Sequence, residues 1–193
     1  METPTELVKG TGTKMDFDAT KFKELLLYVA ERSGDDPSFG RTKLNKILFF
    51  SDFLSYGNTG KPITGATYQR LDRGPAPREL LAAESQLQAE DSAIVVERDY
   101  FGLRQKRLFA KRPPDLSLFT PEEISLVEGV IEVLRHDNAS EVSRLSHMIS
   151  VGWQLAGDRE DIPYEAVFLS PDQPTANDIK RGEELAAEHG WRT

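Results

Sequence analysis

The sequence predicts a mostly helical α+β domain, with a small antiparallel sheet of about three strands packed on a central apolar helix. Three observations lead to this prediction. Residues 42–56 are apolar nearly all round a helical wheel, which is typical of a core helix. Residues 66–71 and two stretches within 94–109 have the character of strands. Apolar residues at helical spacing, with capping motifs, account for most of the remaining chain.

The central helix is preceded by a shorter amphipathic helix. Asp18 or Thr20 is expected to cap this first helix, and Gly34 is expected to end it. Thr42 is the expected N-cap of the central helix, and glycines near residue 60 are expected to stop it. The apolar residues that cover the central helix are Leu44, Ile47, Leu48, Phe50, Phe53 and Leu54.

A strand and a rigid corner are expected after the central helix. Alternation over 66–71 predicts the strand. Gly74, Pro75 and Pro77 then restrict the backbone, because proline locks φ and disfavours helical geometry in the residue before it. A helix is predicted to follow over 78–89, since apolar residues recur there at helical spacing.

The second half of the sequence predicts a hairpin and three helices. The hairpin is expected to turn near residues 99–102. Capping boxes at 120–123 and 138–141 predict two helix starts, and a last helix is expected over 176–189. The residues expected to face inward in these helices are Ile124, Val127, Ile131, Leu134, Val142, Leu145, Ile149, Ile179, Leu185 and Ala186.

Length and composition favour one globular domain. The chain has 193 residues, and we expect a flexible tail at 1–16, a domain at 17–170 and a C-terminal helix at 171–193 packed on it. It has no cysteine, which excludes disulfides and thiolate metal sites and fits a cytoplasmic location. No apolar run is long enough to span a bilayer. The net charge of −8 argues against general binding of nucleic acid or acidic membranes.

Catalytic and cofactor motifs are not evident in the sequence. His136, His147 and His189 show no metal-ligand spacing, and no glycine-rich phosphate loop has the required context. Ser146 and His147 are neighbours on a predicted helix, so they point in different directions and do not suggest a triad. We therefore predict no catalytic residues, no metal and no cofactor.

Two features leave a nucleic-acid alternative open. A basic run includes Arg104, Lys106 and Arg107, but alternation places Arg107 on the opposite strand face, and charges on an edge strand also block aggregation. The helices around Asn138 resemble a helix-turn-helix arrangement. Its second helix offers only Arg144 as a basic residue, whereas phosphate contacts usually dominate DNA affinity.

Polar residues interrupt the apolar central helix and continue on the strand and corner. Under one interpretation they satisfy each other inside the fold: Asp52 pairs with Arg70 or Arg73, and Asn45 bonds nearby backbone. Under the other, they form a surface for a partner. The two interpretations are compatible. The residues concerned are Lys43, Asn45, Lys46, Asp52, Tyr68, Arg70, Asp72 and Arg73.

The same segment carries a family resemblance. The run from Lys43 to Pro77 resembles the Panacea domain, also called the SocA-like antitoxin domain, and the segment from Leu145 to Trp153 resembles a later motif of that family. Asn45, Ser51 and Leu71 depart from the family pattern. The matching residues of the first motif are Lys43, Leu44, Lys46, Ile47, Leu48, Phe49, Phe50, Asp52, Gly60, Pro62, Ile63, Tyr68, Gly74, Pro75 and Pro77.

The resemblance implies a non-enzymatic antitoxin that neutralises a cognate toxin by direct binding. It also leaves open an adaptor that delivers the toxin to a Clp-type protease. The partner-binding residues it suggests are the exposed members of Lys43, Lys46, Tyr68, Arg70, Asp72 and Arg73. The residues expected to have structural roles are Asn45, Asp52, Gly74, Pro75, Pro77, His147 and Trp153.

Overall fold

The computed structural model describes residues 15–100, 102–170 and 172–190, so most of the predicted N-terminal tail lies outside the described residues. The mostly helical α+β class is confirmed. Within these ranges the helices are α1 (Ala19–Arg32), α2 (Arg41–Thr59), α3 (Leu80–Ala89), α4 (Pro121–Leu134), α5 (Ala139–Ile149), α6 (Val151–Leu155) and α7 (Ala176–His189). The strands are β1 (Tyr68–Gln69), β2 (Ala76–Pro77), β3 (Ala93–Tyr100) and β4 (Leu103–Ala110).

Helix α2 is the centre of the fold. It packs against α4, α5, β2 and a short 3-10 turn at Tyr164–Phe168, and most of its side chains are buried. The prediction of a central helix is thus confirmed, but two details are wrong. Gly40, not Thr42, occupies the N-cap position and provides no side-chain hydrogen bond. Leu54, expected in the core, is 44% exposed because the wholly apolar wheel still leaves one solvent-facing side.

The strands form two separate antiparallel pairs within the described residues. In the larger pair, β3 and β4 run from Ala93 opposite Ala110 towards the predicted hairpin turn. In the smaller pair, Tyr68 lies opposite Pro77 and Gln69 opposite Ala76. The predicted corner is therefore the end of a small hairpin, whose turn spans residues 70–75.

A distant segment completes the small hairpin. The Arg70 N–H donates to the Glu160 carbonyl at 2.9 Å, and the Ile162 N–H donates to the Tyr68 carbonyl at 2.8 Å. Gln69 and Asp161 form an antiparallel bridge. Residues 159–162 therefore line the free edge of β1 and satisfy backbone groups that would otherwise face solvent.

In contrast to the predicted cap of α2, the predicted N-caps of α1, α4 and α5 are confirmed. Asp18 accepts from the Lys21 N–H, and complete capping boxes begin α4 and α5. Two inward predictions are wrong: Ile149 is 48% exposed and Ile179 is 52% exposed. Ile149 ends α5, where the chain turns at Ser150 into α6 and carries that side chain outward. Among the described residues of α7, burial is confined to Ala186.

Arg107 shows how the larger hairpin is attached to the helices. Its guanidinium is buried and donates to the backbone carbonyls of Ser33, Gly34 and Asp36, just after α1. Arg104 and Lys106 face solvent on the other side of β4, as strand alternation predicts. Arg107 therefore connects β4 to the end of α1 and does not contribute to a surface patch.

Candidate functional site

The six residues predicted to bind a partner divide by burial. Lys43, Lys46 and Tyr68 are each only 1% exposed, so they do not form an open surface. Asp72 and Arg73 are exposed at the turn of the small hairpin, and Arg70 is half-buried beside them. The accessible part of the predicted surface is therefore the turn itself.

Lys43 holds two helices together from inside the fold. Its ammonium donates to Asp36 Oδ2 at 2.6 Å and to the backbone carbonyls of Arg135 and Asp137 at 3.0 and 2.8 Å. A fourth bond goes to Ser38 Oγ at 3.1 Å. A cation is favourable here because the end of α4 carries partial negative charge. Lys43 is therefore a structural residue with a full set of acceptors.

Asp52 is at the centre of a second buried network. Its carboxylate accepts from the Thr64 N–H at 2.8 Å, from Thr64 Oγ1 at 2.6 Å and from the Tyr68 hydroxyl at 2.8 Å. The predicted pairing with Arg70 or Arg73 is wrong, because Asp52 lies in the core, whereas Arg70 packs on the ring of Trp153 and Arg73 is exposed. Burial raises the pKa of Asp52 above its ordinary value in spite of the three donors.

Tyr68 links this network to an aromatic cluster. Its ring packs edge-on against Phe49, Phe53 and Tyr164, with centroid separations of 5.5, 5.6 and 6.2 Å. The Tyr164 hydroxyl in turn donates to the Ala66 carbonyl at 2.7 Å. Edge-on aromatic pairs favour one relative orientation, so the cluster fixes β1 on α2.

Three side chains from the helices hold the turn in place from beneath. Lys46 Nζ donates to the Pro75 carbonyl at 2.9 Å, and Ser143 Oγ to the Arg73 carbonyl at 2.9 Å. Trp153 Nε1 donates to the Leu71 carbonyl at 2.9 Å. The Arg70 guanidinium lies over the Trp153 ring, 4.8 Å from its centroid. The turn is thus anchored to α2, α5 and α6 at separate points along its length.

His147 supports Trp153 in this arrangement. Its ring stacks on the indole with a centroid separation of 3.8 Å and an interplanar angle of 6°. Burial and then the charges of Lys46 and Arg70 lower the pKa of His147, so the neutral imidazole is favoured at neutral pH. No local signal in the sequence pairs Arg70 with Trp153; only the family resemblance related the two segments.

Comparison with known families adds a second line of information. The model of the family described as "Antitoxin SocA-like, Panacea domain" matches residues 44–154, more than half of the chain. The chain belongs to this family. The match runs from the first turn of α2 to α6, so the Panacea domain includes the Asp52 network, the turn and its Trp153 support. Comparisons with curated proteins and with solved structures gave no significant match.

The buried polar groups of the Panacea domain bond mainly to its own backbone. Ser146 and Lys46 both approach Gly74, but the Ser146 hydroxyl is buried and donates to the Ser143 carbonyl of its own helix at 2.7 Å. Over the residues that the structure describes, no group of three or more His, Asp or Glu is placed to hold a metal ion, and the helices include no candidate membrane span.

Gly74 is the position where the turn least tolerates a side chain. Its φ is +94°, and an added Cβ would lie 2.6 Å from Lys46 Cε, 2.9 Å from Lys46 Nζ and against Ser146 Oγ. We expect Gly74→Ala to lower the free energy of unfolding of the Panacea domain by about 2–4 kcal/mol, measured by urea denaturation.

Gly60→Ala is the matched control for Gly74→Ala. Gly60 has φ +74° but nothing within 4 Å of an added Cβ, so this variant isolates the cost of the backbone conformation. Its free energy of unfolding should fall by about 1–2 kcal/mol. If both variants lost the same free energy of unfolding, Lys46 and Ser146 would have to move away from the new Cβ at position 74 without an energetic cost.

Proposed function

We propose that this protein is the antitoxin of a bacterial or phage-type toxin–antitoxin pair and neutralises its toxin by direct protein binding. The observation that carries the proposal is the family match over residues 44–154. The geometry of the turn supports it, because a backbone held at several points loses little conformational entropy on binding.

The proposed mechanism is occlusion of the toxin's active or substrate-binding surface. Arg70, Asp72 and Arg73 present charged groups at the turn, while Gly74 and Pro75 keep the backbone below them fixed. Charged groups on a rigid turn favour specificity and fast association. We infer a non-enzymatic role without cofactor, and a cytoplasmic location that fits the cysteine-free sequence.

The decisive experiment uses the open reading frame next to the gene. We expect this neighbour to stop growth when it is induced alone and to be harmless when the full-length protein is co-expressed. The two products should co-purify in a stoichiometric complex. A neighbour that is not toxic, or growth rescue without any complex, would contradict neutralisation by direct binding.

The C-terminal helix favours a second candidate function, that of an adaptor delivering the toxin to a Clp-type protease. Such an adaptor needs a second surface besides the one for its cargo. Helix α7 follows an exposed segment and buries little among the described residues beyond Ala186, so it is available for a separate contact. The proposed boundary near residue 170 separates it from the domain.

Truncation after residue 170 distinguishes the two functions. The cut keeps Ile162, Tyr164 and Ala166, which are buried in the core. For direct occlusion, we expect the truncated protein to rescue growth and leave the cellular half-life of the toxin unchanged. For the adaptor, it should still bind the toxin but lengthen that half-life several-fold in a strain with active protease.

A further inference from the structure

An open groove of about 650 Å³ lies beside the turn, between the start of α2, strand β4 and residues 158–159. Its lining is strongly positive although the whole chain has a net charge of −8. Two acidic residues, Asp72 and Asp158, also line it. The positively charged residues of the lining are Arg41, Lys46, Arg73, Arg104, Lys106 and Arg159.

Half of this positive charge is already paired inside the protein. Arg41 forms an ion pair with Glu84, and both Arg104 and Lys106 pair with Glu97. The side chains of Arg73 and Arg159 are exposed and have no ion-pair or hydrogen-bond partner among the described residues. These two side chains are thus available to an incoming anion.

The start of α2 adds backbone donors to the same groove. The N-cap is Gly40, which has no side chain to accept from the first N–H groups of the helix, and Gly40, Arg41 and Thr42 all line the groove. The first N–H groups of a helix have no acceptor within it and carry partial positive charge. An uncapped helix start of this kind is suited to an anion.

Lys46 supplies an independent observation at the base of the groove. It is 1% exposed, yet its ammonium has one hydrogen bond, to the Pro75 carbonyl, and no carboxylate partner among the described residues. An ammonium has three donors, so two remain for an external acceptor. A buried cation without a counter-charge is costly, and an entering carboxylate would remove that cost.

We propose that this groove receives an acidic segment of the partner polypeptide, with an Asp or Glu carboxylate placed between Lys46 and the start of α2. The inference rests on the proposed antitoxin function and names the chemistry of the toxin segment that the protein recognises. Arg73 and Arg159 bind further acidic side chains at the rim.

Two observations favour a polypeptide over a nucleic acid as the occupant. Asn45 lines the groove and its Oδ1 is buried without a donor; the backbone of a peptide carries N–H donors, whereas the sugar–phosphate backbone of DNA carries none. The chain as a whole is also acidic, with a net charge of −8, whereas nucleic-acid binding uses many phosphate contacts over an extended basic surface.

The first test measures binding of a fluorescein-labelled oligoglutamate peptide to the full chain at low salt by fluorescence anisotropy. We expect oligoglutamate to bind and an oligoglutamine peptide of equal length not to bind. The double variant R73E/R159E should weaken oligoglutamate binding by about tenfold or more. Circular dichroism and thermal melting confirm that the variant is folded.

Lys61→Glu is the control for a charge reversal away from the groove. Lys61 is exposed just beyond the far end of α2, about 28 Å from its start, so this reversal changes net charge without touching the groove. It should alter affinity less than twofold. Equal binding by wild type and the double variant, or no binding of oligoglutamate to wild type, overturns the proposal. A DNA oligonucleotide that binds more tightly than oligoglutamate also overturns it.

The growth assay separates this inference from the proposed function. If the double variant fails to rescue growth while Lys61→Glu rescues, the groove is the recognition site. If both variants rescue as well as wild type, the groove inference fails and the antitoxin function stands. If wild type itself does not rescue, the antitoxin function fails, and the peptide measurements alone decide the chemistry of the groove.

Discussion

Replacing Lys43 with methionine is expected to lower the free energy of unfolding by about 3–5 kcal/mol. The ammonium is the counter-charge of the buried Asp36 carboxylate, at 2.6 Å, and it also satisfies the carbonyls of Arg135 and Asp137. Methionine fills similar volume but leaves the buried Asp36 carboxylate without its counter-charge, with donors from Ser38 alone, and leaves the Arg135 carbonyl without this donor. Urea denaturation at neutral pH measures the loss.

The control for Lys43→Met is Lys61→Met, at an exposed position after α2. It should change stability by less than about 0.5 kcal/mol. The double variant K43M/D36N should recover part of the loss, because it removes the uncompensated charge. If Lys43→Met were as stable as wild type, water or another group would have to satisfy Asp36, and Lys43 would not join the two helices.

Replacing Lys46 with methionine is expected to raise the free energy of unfolding at low pH, in contrast to Lys43→Met. Burial lowers the pKa of Lys46 to about 7, whereas an unfolded lysine titrates near about 10.4. Below about pH 7 the folded protein therefore bears the full cost of a buried ammonium. Methionine removes this cost and loses one hydrogen bond, so we expect the variant to be about 3 kcal/mol more stable at pH 6.

The pH dependence gives the sharper readout for Lys46. The unfolded state holds the lysine proton more tightly than the folded state, so wild-type stability rises with pH between about 7 and about 10. Lys46→Met lacks this rise, and the two curves should converge or cross near pH 10. Phosphate-free buffer is needed, because an anion in the groove would stabilise wild type. If the stabilities of wild type and Lys46→Met changed in parallel with pH, Lys46 would have to be paired with a negative charge in the folded protein.

The two lysines illustrate what a sequence can and cannot establish. Lys43 and Lys46 stand out as polar interruptions of an apolar helix, and that observation drew attention to α2 and the small hairpin. Their environments depend on carbonyls at Pro75, Arg135 and Asp137, which lie far along the chain. Periodicity within one helix has no information about these partners, so burial of both lysines was not predictable.

The N-caps of α1, α4 and α5 were predicted correctly because their hydrogen bonds need no partner from a distant part of the chain. The capping boxes at Thr120 and Asn138 involve residues three positions apart, so their geometry follows from the sequence alone. The Asp52 network and the contact of Arg70 with Trp153 instead depend on the tertiary fold. The pairing of β1 with Ala76–Pro77 was also missed, because prolines favoured a bend over a strand.

The edge formed by residues 159–162 has a consequence for biosynthesis. Its bridge joins Gln69 to Asp161, about 90 residues later, and Ile162 must reach Tyr68 to complete it. Contacts of such long sequence separation form late, since a large loop has to close first. A nascent chain on the ribosome is therefore expected to lack the completed small hairpin until Ile162 has emerged, near the end of translation.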